Sequence, residues 1–109
     1  MASILKLTGK FGTEYTFDIY DWGTSFKNLG GVYLVTKAVD NADGGFTHTI
    51  LYVGETEDLS KRFNNHHRQN CFDAKGKNRI CVLLESSSSK RLSIETDIRN
   101  KFDPDCNRQ

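Results

Sequence analysis

The chain has 109 residues and a mass of 12.4 kDa; 37% of the residues are apolar, 27% charged and 11% aromatic, and the net charge is +1. That size and mixture specify one folded domain with a real core, and they exclude a disordered tail or a fibrous repeat. No apolar run approaches the roughly 20 residues that span a bilayer, and Met1–Lys6 does not open a long apolar leader, so neither membrane nor secretory processing is expected.

Residues 3–8 and 13–20 flank Gly9-Lys10-Phe11-Gly12, a glycine-bounded turn, and predict a β-hairpin. In its second arm Tyr15, Phe17 and Ile19 alternate with Thr16, Asp18 and Tyr20, the period of a half-buried strand. Six aromatic residues fall between Phe11 and Phe26, which predicts a packed segment rather than a loose tail. Val32–Thr36, rich in β-branched and aromatic residues, reads as a buried strand. The turn chemistry of Asp40–Gly45 joins it to a partner strand from Thr47 to Val53. Asp58 is the expected N-cap of a helix reaching about Arg68, with Leu59, Phe63, His66 and His67 at helical spacing. Arg79–Leu84 predicts another central strand. The serines at 86–89 end it and cap a last helix whose buried stripe is Ile94, Ile98 and Phe102 and which Pro104 stops. The fold class is α+β: a central antiparallel sheet flanked by helices. Residues 1–28 form an extra N-terminal β-hairpin packed on a domain of residues 29–109, one folded unit overall.

Three cysteines, Cys71, Cys81 and Cys106, cannot all pair within one chain and show no CxxC spacing. They point to a reducing, cytoplasmic setting, with Cys71 and Cys81 as ordinary thiols, and away from a disulfide scaffold or zinc ribbon. The charges divide by position. Residues 1–60 carry a net −4 and residues 61–109 a net +5, so the neutral total conceals a basic half suited to a polyanion.

Gly31-Val32-Tyr33 lies on one strand of the second hairpin and Tyr52-Val53-Gly54 on the other. Arg62 follows Tyr52 by ten residues, His66 comes four later, Glu95 sits in the last helix, and Asn107 follows Pro104. Together these resemble the GIY-YIG nuclease family, over about Gly30 to Asn107. The resemblance implies that Tyr33 and Tyr52 line the active site, one of them orienting or deprotonating the attacking water. It implies Glu95 as the ligand of Mg²⁺ or Mn²⁺, Gly31 and Gly54 as support, and Asn107 as a structural anchor. The residue chemistry agrees: Arg62 offers a fixed fork for phosphate, with His66 expected beside it on one helical face. A carboxylate such as Glu95 is a hard oxygen ligand for Mg²⁺. A tyrosine near metal and arginine is expected to have its pKa pulled down.

Lys61, Arg68, Lys75, Lys77, Arg79, Lys90 and Arg91 form the expected phosphate-tracking set. Val32 and Val53 replace isoleucine by one methylene less. Glu55 stands where relatives often carry a basic or polar residue, and Lys61 is the nearest candidate for a second tyrosine-activating cation. The expected function is a metal-dependent endonuclease or nickase hydrolysing DNA, with RNA open as a partner, by one-step water attack. The alternative is a catalytically weak or inactive nucleic-acid-binding module of the same fold; a protein-interaction domain using the aromatic hairpin is the third reading.

Overall fold

Glycine- and asparagine-bounded turns fold the first 56 residues into two hairpins, and a fifth strand welds them into one sheet. In the computed structural model, which describes residues 3–63 and 66–107, β1 (Ser3–Thr8) pairs with β2 (Glu14–Asp21), and β3 (Gly31–Asp40) pairs with β4 (Phe46–Thr56). β5 (Arg79–Leu84) inserts between the hairpins, giving the order β1-β2-β5-β3-β4 with every pairing antiparallel. Three helices, α1 (Leu59–Arg62), α2 (Gln69–Lys75) and α3 (Ser88–Phe102), and a 3-10 turn at Asp105–Asn107 complete the α+β fold. No helix among the described residues is long and apolar enough to cross a membrane.

β3 is buried from Gly31 to Thr36 because it has neighbours on both edges and cover on both faces. Its alternation feeds two cores. Val32 and Leu34 pack with Phe17, Val53, Cys81 and Ile98 against α3, whereas Tyr33 and Val35 pack with Tyr52, Leu59, Phe72 and Ile80 against α1 and α2. A register shift between Val35 and Thr36 leaves Leu51 as an extra residue on β4, so the consecutive Leu51 and Tyr52 enter the same core.

Three expectations are corrected. The helix expected from Asp58 to Arg68 stops at Arg62, and a separate α2 follows. A continued helix needs the Arg68 N–H to bond a carbonyl four residues back; instead it donates to His66 Nδ1 at 3.0 Å, a side-chain competitor for the backbone. Phe102, placed on the buried stripe of the last helix, is 38% exposed, while Arg91 and Asp97 are buried beside Ile98. Asp97 has that place because it clasps the first hairpin, accepting from the Tyr15 hydroxyl at 2.6 Å and the Phe11 N–H at 3.2 Å. These donors hold its carboxyl below the usual carboxylate range, Tyr15 most strongly. Finally, Cys71 is no free thiol: it forms a disulfide with Cys106, tying α2 to the 3-10 turn. Cys81 alone is free and buried. The cysteine argument for a reducing, cytoplasmic setting therefore falls.

Candidate active site

The register of β3 and β4 builds the centre of the site. Tyr33 lies opposite Gly54, and Tyr52 lies opposite Val35, so the two tyrosines are diagonal neighbours on one face. Their rings stack with centroids 6.0 Å apart. A Cβ on Gly54 would come within 2.6 Å of the Tyr33 ring and hydroxyl and 2.8 Å of the Tyr52 ring, so only glycine leaves room for the pair. On the same face a Cβ on Gly31 would meet the Leu83 carbonyl at 2.9 Å and Leu59 at 3.1 Å, and its absence lets α1 pack down.

α1 begins where Asp58 accepts from the Ser60 N–H at 2.9 Å, a cap worth about 1 kcal/mol, and it delivers Arg62 within a single turn. Arg62 Nε donates to Tyr33 Oη at 2.9 Å, and His66 Nε2 lies 2.7 Å from the same oxygen. The tautomer follows from the backbone: Nδ1 accepts from Arg68, so in neutral His66 the proton is on Nε2 and is donated to Tyr33. Tyr33 Oη thus accepts two hydrogen bonds. Burial, then the charges of Arg62, His67 and Arg68, push His66 down to about 4, so it is neutral at physiological pH. Burial also pushes Tyr33 above the ordinary tyrosine range, although Arg62 opposes it. That reverses the expected lowering: desolvation of the phenolate outweighs one neighbouring cation. His67, stacked on His66 at 4.5 Å, is also held low by burial.

Glu95 projects from α3, partly buried, and pairs with Arg99 at 3.3 Å. Burial and then the Glu55 charge raise its pKa while Arg99 lowers it. Glu55, on β4 directly after Gly54, is the link around the sheet edge, because its charge acts on Arg62 as well as on Glu95. Its own partner is the buried Arg91, whose Nε donates at 2.9 Å. Asn107 anchors that same edge strand. Its side-chain amide accepts from the Val53 N–H and donates to the Val53 carbonyl, both at 2.9 Å, as a neighbouring strand would.

The GIY-YIG catalytic domain matches residues 29–108. The chain belongs to the GIY-YIG nuclease family. Comparison with curated proteins finds no match, and comparison with solved structures finds none. GIY-YIG nucleases generally use divalent metals, and the donor chemistry here fits such an ion. Glu95 is a hard oxygen donor of the kind such an ion takes, and among the described residues no group of three or more His, Cys, Asp or Glu forms a metal cluster.

The expected phosphate-tracking set is divided in this GIY-YIG domain. Arg91 is corrected outright: it is 5% exposed, held by Glu55 and by the carbonyls of Glu85 at 3.1 Å and Ser86 at 2.9 Å, so its charge is used internally. Lys75 pairs with Asp105, Lys77 with Asp73 and Arg79 with Asp21. Lys61 is exposed on α1 and Lys90 on α3, on opposite sides of the sheet. Arg68 stands beside His66, its Nε buried without a partner among the described residues. Sequence reasoning missed Glu55 as the edge link. The acid after Gly54 stands out in the sequence, but nothing local signals that Arg91, 36 residues later, neutralises it.

Proposed function

We propose that the chain is a divalent-metal-dependent endonuclease that nicks DNA by one-step attack of water on the scissile phosphate. The observation that carries this reading is the single phenol oxygen of Tyr33 accepting from both Arg62 and His66, with Tyr52 stacked alongside. Two donors on that oxygen favour its ionised form, so the small phenolate population is a strong base that takes the proton of the attacking water. His66, neutral and protonated on Nε2, positions Tyr33 and does not act as the base. Arg62 uses Nε on Tyr33 and keeps its two terminal nitrogens for phosphoryl oxygens, where charge grows in the transition state. Mg²⁺ or Mn²⁺ on Glu95 would supply Lewis-acid charge at the phosphate when bound. Gly31 and Gly54 give the tyrosines room, Asn107 holds the strand that carries Tyr52, and Lys61, Arg68 and Lys90 contact the DNA backbone.

One observation favours a second reading, an inactive nucleic-acid-binding module: burial pushes Tyr33 above the ordinary tyrosine range and so makes its phenolate still rarer at neutral pH. Nicking of supercoiled plasmid with Mg²⁺, run beside Glu95→Gln, decides between them. The wild type is expected to nick and to stop in excess chelator. Glu95→Gln keeps the fold and DNA affinity but does not nick. Equal nicking by both proteins, or nicking that survives chelation, would overturn the mechanism.

A further inference from the structure

The loop from Trp22 to Phe26 precedes the family-matched segment yet packs directly against it. It continues β2 into a built turn. The Trp22 N–H donates to the Asn78 carbonyl at 3.1 Å, and the Thr24 hydroxyl donates to the Asp21 carbonyl at 2.7 Å. Between this loop and α1 lies a partly enclosed cavity of about 180 Å³, lined by Trp22, Thr24, Ser25, Phe26, Ser60 and Phe63. At roughly 30 Å³ per water that is room for about six waters, the size class of one planar heterocycle. Phe63 is a shared wall: it meets Trp22 at 6.1 Å, Phe26 at 5.5 Å and, edge to face, the Tyr33 ring at 5.0 Å. The cavity is therefore one ring away from the oxygen that Arg62 and His66 address. The Lys77 ammonium, paired with Asp73, lies 4.7 Å over Trp22 and holds that ring in place.

We infer that this cavity binds one unpaired nucleobase of the substrate, next to the scissile phosphate. This rests on the nuclease reading and names the substrate class. Aromatic walls offer a stacking face to any base; the Ser25 hydroxyl meets its polar edge, and the Thr24 and Ser60 hydroxyls, which donate to the Asp21 carbonyl and the Asp58 carboxylate, accept from it. A base in an intact duplex is stacked inward and cannot enter, so the favoured substrate carries an unpaired or extruded nucleotide: a single strand, a bulge or a flap. Residues 22–26 thereby give the N-terminal segment a role in substrate choice.

Trp22 is the only tryptophan, so the tryptophan emission comes from the wall of this cavity. The experiment titrates the full chain, without metal to prevent cleavage, with end-labelled DNA: a paired duplex, the same duplex with a one-base bulge, and the bulged strand alone. Label anisotropy reads binding and Trp22 emission reads occupancy. Stacking on the order of 1–3 kcal/mol predicts that the bulged duplex binds about 5- to 150-fold tighter than the paired one and quenches Trp22, which the paired duplex does not. Ser25→Leu, filling the cavity from an exposed loop position, is expected to abolish the preference while paired-duplex binding persists. Equal affinities, or tighter bulge binding with unquenched Trp22, overturn the inference and leave the nuclease reading standing. No binding of any DNA overturns both.

Discussion

On one face of the sheet a 15-residue helix covers Val32, Leu34, Val53 and Cys81; on the other, helices of four and seven residues cover Tyr33, Tyr52 and Ile80. The long helix is capped by Ser87, which accepts from the Lys90 N–H, and it seats Ile98 in an aliphatic core. Helices as short as α1 and α2 have almost no stability of their own. They are held by what they touch: the Asp58 cap, the buried Leu59 and Phe72, the Cys71–Cys106 disulfide and the bonds converging on Tyr33 Oη. The difference teaches a division of labour. The α3 face holds the fold by packing, and the tyrosine face arranges polar atoms that a regular helix would not place together.

The sharpest way to break that comparison is a cavity under α3. Ile98→Ala is expected to cost about 2–5 kcal/mol in denaturant unfolding while leaving single-turnover cleavage unchanged under conditions where the variant is folded. A comparable fall in the cleavage rate would show the faces to be coupled. The converse change, Tyr33→Phe, keeps the ring over Gly54 and removes the oxygen. It is expected to slow single-turnover cleavage on the order of 10²–10³-fold, by analogy with other preorganised electrostatic groups. A variant cleaving at the wild-type rate would remove Tyr33 from the chemistry.

A third change tests how the short helices stay in place. The disulfide closes a loop across 35 positions, and Cys71→Ser with Cys106→Ser is expected to cost about 2–4 kcal/mol by thermal or denaturant unfolding. An unchanged unfolding midpoint would mean that the aromatic contacts suffice. A fourth test is in pH. Tyr33 is held above its ordinary pKa, so its phenolate fraction, and with it the single-turnover rate, rises about tenfold per unit from pH 7 to 9. His66, held down to about 4, is already neutral there, so no break is expected near 6.5. A plateau from pH 7 upward would mean that Tyr33 is not the base.

Much of this was legible in the chain because it rests on local rules. Period-two alternation locates β2, β-branched and aromatic composition locates β3, and the apolar run of β5 matches Arg79–Leu84 to the residue. Turn residues placed both hairpins, and Asp58 and Ser87 mark the helix starts that capping chemistry predicts. The motif spacing put Tyr33 and Tyr52 on facing strands, and Arg62 one short helix away. The misses share a cause. Periodicity carried a helix through His66 because it cannot show that an imidazole takes the Arg68 N–H. It assigned Phe102 to the core because it cannot show that Asp97, five residues earlier, must reach the hairpin.

The sequence by itself determined the fold class, the family and the identity of the residues that converge on Tyr33, because spacing and side-chain type are properties of the chain. Tertiary structure alone decided their state. Burial, not the neighbouring arginine, sets the protonation of Tyr33; a backbone amide sets the tautomer of His66; and Glu55 spends Arg91 inside the fold. The pairing of Cys71 with Cys106 and the cavity behind Phe63 belong to the same class. Each depends on the distance between atoms far apart in sequence, and on how much water is excluded from between them, quantities that no local pattern encodes.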